Sequence, residues 1–206
     1  MKTLTAAGSI DALRDVLRQG TPIALAERAD VVILPTASAF RGAEAAAIEL
    51  ASLFEEAGAR VEALMNVSRD SSDEPHFAQR TRDADLVVLS DGSALHAKSV
   101  WRGTLVGEAI RESQRVAAVG SVASVLGDVM VDPRGGAPTN GLGYVSGLVI
   151  GVDASEEQLA RTRLLLGEGA TLAVLGHGGV VHFDGLDWRV IAPDVVTTRG
   201  EQFVEL

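Results

Sequence analysis

Two rhythms of apolar and polar positions run along the chain. Between Ala29 and Val119, short runs that are apolar throughout recur at Val31-Val32-Ile33-Leu34, Leu86-Val87-Val88-Leu89 and Val116-Ala117-Ala118-Val119, with a more mixed run at Arg60-Val61-Glu62-Ala63-Leu64. Each run is too short for a helix and most are rich in β-branched residues, which predicts strands buried on both faces. Between them the spacing becomes helical: an Ala- and Glu-rich segment from Gly42 to Ala57 closed by Gly58, a helix around His76 to Ala84, and another around Val100 to Glu112. Apolar strands alternating with helices specify an α/β class, a doubly wound, mostly parallel sheet with helices on both faces. In such sheets ligand sites lie at the carboxyl ends of the strands.

The two ends of the chain follow other rules. Ile10, Leu13, Val16 and Leu17 stand at helical spacing before Gly20-Thr21-Pro22, so residues 1–28 read as an N-terminal arm carrying a short helix. The polar stretch Asn66 to Pro75 reads as a loop. After Ala154, one helix (Glu156 to Leu166) gives way to short β-like runs at Leu172–Leu175, Val180–Phe183, Trp188–Ile191 and Val195–Thr198, separated by Gly or Pro. These predict sheet-edge strands and short C-terminal β-hairpins. With no repeat or linker, residues 1–206 are expected to form a single domain.

Composition narrows the function classes. There is no cysteine, which excludes disulfides, thiolate metal sites and a cysteine nucleophile. A net charge of −10 disfavours a nucleic-acid partner, whose affinity rests on clustered Lys and Arg. No apolar run approaches the roughly 20 residues that span a bilayer. The expectation is a cytoplasmic protein with no membrane or nucleic-acid partner.

Three turns leave strands where a site belongs: Pro35-Thr36-Ala37-Ser38, Ser90-Asp91-Gly92-Ser93 and Gly120-Ser121-Val122-Ala123-Ser124. The third has the small residues of a nucleophile elbow, a tight strand-to-helix turn with a strained nucleophile and free backbone N–H groups. The string from Gly120 through Asp132-Pro133-Arg134-Gly135-Gly136 to Gly141-Leu142-Gly143 resembles the nucleophile region of the cyanophycinase and aspartyl-dipeptidase-type serine peptidases, whose fold is class I glutamine amidotransferase-like, a flavodoxin-like architecture. The resemblance runs from about Val31 to the C-terminus and is strongest from Leu86 to Gly147. It puts the family's catalytic serine on Val122 and the following glycine on Ser124. Ser90-Asp91-Gly92-Ser93-Ala94-Leu95-His96 is similar to the loop that helps form the oxyanion hole, with Asp91 replacing one glycine. The family's histidine should follow Leu148-Val149-Ile150, where Gly151-Val152-Asp153 stands instead.

The resemblance therefore implies a catalytically degenerate member, a pseudoenzyme kept for ligand binding, regulation or assembly. No cofactor is expected. Val122 has no proton to give, and a β-branched residue at positive φ costs on the order of 1–3 kcal/mol, so the elbow is expected to have relaxed. Candidate ligand-binding residues are Asp91, Gly92, Ser93, His96, Ala123 and Arg134, with Arg134 a clamp for a carboxylate ligand such as a small acidic peptide. The alternative is an active serine hydrolase of peptide or amide bonds that uses Ser121 or Ser124, with His96 or His177 as base. Against it, Ser121 suits a helix N-cap and Ser124 a small residue of the first turn. His182 and Asp184 share one face of a predicted strand near His177, but their spacing fits no zinc signature, so no metal is assigned. A homodimer or a hetero-partner is compatible with this reading.

Overall fold

A computed structural model describes all 206 residues. In chain order the strands are β1 (Thr3–Ala7), β2 (Asp30–Leu34), β3 (Arg60–Ala63), β4 (Leu86–Leu89), β5 (Arg115–Val119), β6 (Val129–Val131) and β7 (Pro138–Asn140). They continue with β8 (Leu148–Val152), β9 (Thr171–Leu175), β10 (Val180–Phe183), β11 (Trp188–Ala192), β12 (Val195–Arg199) and β13 (Gln202–Phe203). The helices are α1 (Ile10–Gln19), α2 (Ala43–Glu56), α3 (Arg69–Ser72), α4 (Pro75–Asp83), α5 (Ala94–Trp101), α6 (Leu105–Glu112) and α7 (Glu156–Leu166).

A seven-stranded sheet in the order β11-β10-β1-β5-β4-β2-β3 forms the centre, parallel from β1 through β3 and antiparallel at β10 and β11. Successive side chains of a strand point to opposite faces, and the apolar runs use both. Val31 and Ile33 enter a core with α1 and α2, through Leu13, Val16, Leu50 and Phe54. Val32 and Leu34 enter the other core, with Ala78 of α4, Trp101 of α5 and Ile110 of α6. Each such valine or leucine, when fully buried, stabilises the fold by about 1.5–3 kcal/mol relative to exposure. This is the mixed, doubly wound sheet that the apolar runs predict.

The N-terminal arm is a correction. Residues 3–7 are β1, hydrogen-bonded between β5 and β10 in the middle of the sheet. Leu4 and Ala6 face one core and Ala7 the other, while Thr5 is 2% exposed. Helix α1 follows as expected, with Ser9 accepting from the N–H of Ala12 and Gly20 closing it in the left-handed conformation at φ +68°.

Three smaller differences follow from local chemistry. The expected helix from Val100 to Glu112 is two helices, because Gly103 at φ +69° turns the chain and Thr104 caps α6 by accepting from Gly107 N–H. The loop from Asn66 to Pro75 contains α3, opened by a reciprocal Ser68–Ser71 capping box. The C-terminal runs do not all lie at sheet edges: β10 is interior, and only β11 of that hairpin is an edge. Strands β8 and β9 pair in parallel and join β12 and β13 in a second sheet, in the order β13-β12-β9-β8. Ile150, Ala173 and Leu175 of that sheet pack into the same core cluster as Leu4, Leu34 and Leu89. Strands β6 and β7 form a separate hairpin.

Candidate functional site

The parallel strands all end on one side, and there the segments after β1, β2, β4, β8 and β9 meet beside the end of β5. They bound a crevice of about 360 Å³ whose wall includes Ser9, Arg41, Glu49, Asp91, Asp153 and His177.

The turn after β5 builds the centre of this region. Gly120 leaves the strand at φ +64° and opens a six-residue 3-10 turn ending at Val125. The sharp, left-handed position of the elbow is therefore Gly120, two residues before the Val122 that the resemblance puts there. Val122 is fully buried and belongs to the main core with Ala123 and Leu126. Glycine carries the positive φ without steric cost, and valine supplies methyl groups to the interior, so neither residue is strained. Val122 is thus not at positive φ, as expected of a β-branched residue, and Gly120 keeps the turn tight.

Asp91 fills the place in front of this turn. Its Oδ1 accepts hydrogen bonds from the backbone N–H of Gly92 at 2.7 Å and of Ser121 at 2.9 Å. A Cβ on Gly120 would lie 2.0 Å from that oxygen and 2.2 Å from the carboxyl carbon. The Asp91 loop is itself pinned. The Ser38 hydroxyl donates to the Asp91 carbonyl and accepts from the Ser90 hydroxyl, and Ser93 N–H donates to the Ala37 carbonyl at 2.7 Å. Gly92 sits at φ +144° with its α-carbon so close to Ala37 that a side chain there would meet the Ala37 carbonyl oxygen at 2.2 Å. A loop N–H and the first N–H beyond the elbow position thus converge on one oxygen, the arrangement of an oxyanion hole, and the oxygen belongs to the protein itself.

The remaining candidates are dispersed. Ser121 does not cap the turn, which has no side-chain cap; Ser124 Oγ instead donates to the Ser121 carbonyl. Both serines line a smaller cavity of about 100 Å³ that also touches Asp132 and Asp153. Ser93 is the N-cap of α5, accepting from His96 N–H at 3.2 Å. The His96 ring uses Nε2 to donate to the Val67 carbonyl at 2.9 Å and meets Phe40 edge-on. His177 is 77% exposed, and its nearest charged partner is Asp11 at 3.8 Å. No serine hydroxyl is hydrogen-bonded to an imidazole; the one hydroxyl–imidazole contact joins Thr5 and His182 at 3.0 Å, inside the sheet.

Arg134 does not line the crevice. Its Nε and Nη2 both donate to the Asp132 carboxylate, at 3.1 and 2.8 Å, which holds that carboxyl below the usual range. The exposed guanidinium pairs within its own turn, and Arg41 is the cation on the crevice wall. His182 and Asp184 also part company. Burial pushes the His182 imidazole below its ordinary value, whereas Asp184 is held low mainly by the N–H groups of Asp187 and Leu186 and pairs with Arg189 at 2.6 Å. No three His, Asp or Glu side chains assemble as metal ligands.

Asp153 is the residue sequence reasoning passed over. It follows β8 at φ +50°, one of two non-glycine residues at positive φ, and lines both cavities beside the elbow. It stands where the resemblance calls for a histidine, and only that position marks it in the sequence.

No family model matches the chain, and no curated protein matches it. Solved structures do. A peptidase from an acI-B1 actinobacterium is similar over 100% of this chain and 97% of its own, with a TM-score of 0.72 at 16% identity. A peptidase E-type protein from Listeria monocytogenes EGD-e is similar over 97% of this chain and 98% of its own, with a TM-score of 0.63 at 16% identity. The chain accordingly shares the fold of these two structures, a mostly parallel sheet flanked by helices. No helix is long and apolar enough to cross a membrane.

Proposed function

We propose that this chain is a catalytically silent protein on a peptidase fold, which acts by binding at the crevice rather than by acyl transfer. One observation carries the reading: at the elbow, where the fold would present a nucleophile, stands Gly120, with the Asp91 carboxylate in the space of its missing side chain. Glycine offers neither an attacking oxygen nor a proton, and no imidazole is bonded to a serine that could replace it. An acyl-enzyme route then lacks its first step. The alternative, a displaced nucleophile at Ser121 or Ser124, lacks the hydroxyl–imidazole contact it would use.

Labelling with a fluorophosphonate probe tests this. The native chain is expected to stay unlabelled under conditions that label a serine peptidase stoichiometrically; stoichiometric labelling would sink the reading. A second measurement addresses what the crevice takes up. Asp91, Asp153 and Glu49 outnumber Arg41 on its wall, so acidic dipeptides should raise the melting temperature less than neutral ones. The larger rise from the acidic series would restore the carboxylate ligand expected from the sequence.

A further inference from the structure

Gly120 and Asp91 cannot both carry a side chain into the space they share. A Cβ at position 120 would overlap the Asp91 carboxyl group and come within 2.8 Å of its Cβ, so rotation of the carboxylate alone would not relieve it. Moving the side chain would also forfeit the bonds from Gly92 and Ser121 N–H. We propose that Asp91 and Gly120 form an interdependent lock, an autoinhibitory contact in which the carboxylate seats only because position 120 is bare, and the seated carboxylate denies both N–H groups to any external oxygen. The contact is more than the absence of a nucleophile. It closes the hole to carboxylates and tetrahedral oxyanions as well, whether or not chemistry could follow.

The lock comes from three parts of the chain that fold together. The turn after β5 provides Gly120 and Ser121, the loop after β4 provides Asp91 and Gly92, and the segment after β2 pins that loop through Ser38 and Ala37. The sequence shows Asp91 as a departure from a Gly-Gly loop; only the fold shows that its carboxylate lands on the neighbouring turn.

A double-mutant cycle separates the lock from ordinary local strain. In the native background Gly120→Ala is expected to lower Tm by roughly 4 °C or more. In the Asp91→Gly background, which removes every overlapping atom of Asp91, the same substitution should cost clearly less, leaving only the penalty of positive φ. Equal losses in both backgrounds would overturn the proposal. A second readout needs no change at position 120: the amide protons of Gly92 and Ser121 should be protected from hydrogen exchange in the native chain, and both should exchange faster in Asp91→Gly. A Ser121 amide whose exchange is unchanged by Asp91→Gly would show that the carboxylate is not seated. Fluorophosphonate labelling addresses the loss of catalysis separately, so either conclusion can fail without the other.

Discussion

Val122 has no exposed surface and lies among the main core residues, although the sequence aligns it with a nucleophile. Writing a serine there should therefore damage the core instead of restoring a site. Val122→Ser removes both methyl groups and buries a hydroxyl in place of one, a cost of about 2–3 kcal/mol. Differential scanning fluorimetry should show Tm falling by roughly 4–10 °C, with no fluorophosphonate labelling gained. Labelling of that variant would return the elbow to Val122 and overturn the register described above. The two-residue offset has a plain origin. Gly120, Ser121, Ala123 and Ser124 are all small, so the string fits a tight turn in more than one register, and only the backbone dihedral picks Gly120. Asp91 and Gly92 were legible as candidate site residues because they follow a strand. That their carboxylate and N–H groups meet Ser121 is a tertiary fact without a sequence signal. Arg134 was open for a similar reason, since an arginine two residues from an aspartate can close on its own turn, as it does here, as easily as on a ligand.

At the level of elements, β1 shows where periodicity stops informing. Strands β2, β4 and β5 are apolar at nearly every position and were legible at once, but Thr3-Leu4-Thr5-Ala6-Ala7 mixes hydroxyls with small residues, and its burial comes entirely from β5 and β10 on either side. The same contacts predict what holds it. Tyr144 Oη lies 2.9 Å from the Thr3 carbonyl and 3.2 Å from the Ser113 carbonyl, so Tyr144→Phe should cost about 1–2 kcal/mol in urea unfolding by leaving buried acceptors short of a donor. An unchanged midpoint would show that water replaces the hydroxyl. On the other side Thr5 meets His182 across the β1–β10 pairing. Burial lowers the His182 pKa in the fold, so the unfolded chain takes up the proton first. The stability from the neutral imidazole is complete above the unfolded value near 6.5 and is lost as pH falls through the folded value. Urea midpoints at pH 7.5 and 5.5 should therefore drop more in the native chain than in His182→Gln; equal drops would remove His182 as the cause.

The whole molecule poses a question of cooperativity, because its strands lie in two principal sheets that the sequence did not separate. Strands β8 and β9 are as apolar as those of the main sheet, and nothing in their pattern says which neighbours they choose; only the α/β class and the mostly parallel sheet followed from periodicity. Yet one cluster of 31 buried residues takes Leu4, Leu34 and Leu89 from the first sheet, Ile150, Ala173 and Leu175 from the second, and Val122 and Leu126 from the turn between them. Separating the sheets would expose both faces of that cluster, including the fully buried Ile150 and Leu126, at roughly 1.5–3 kcal/mol for each large side chain. That loss is too great for the smaller sheet to melt first and leave the other intact. Scanning calorimetry should accordingly give one transition with equal calorimetric and van't Hoff enthalpies. The Val122→Ser variant should shift that single peak to lower temperature without splitting it, since the change falls in shared core. Two resolved peaks, or a variant that moves only one of them, would mean that the sheets fold as separate units and that the elbow's core belongs to one alone.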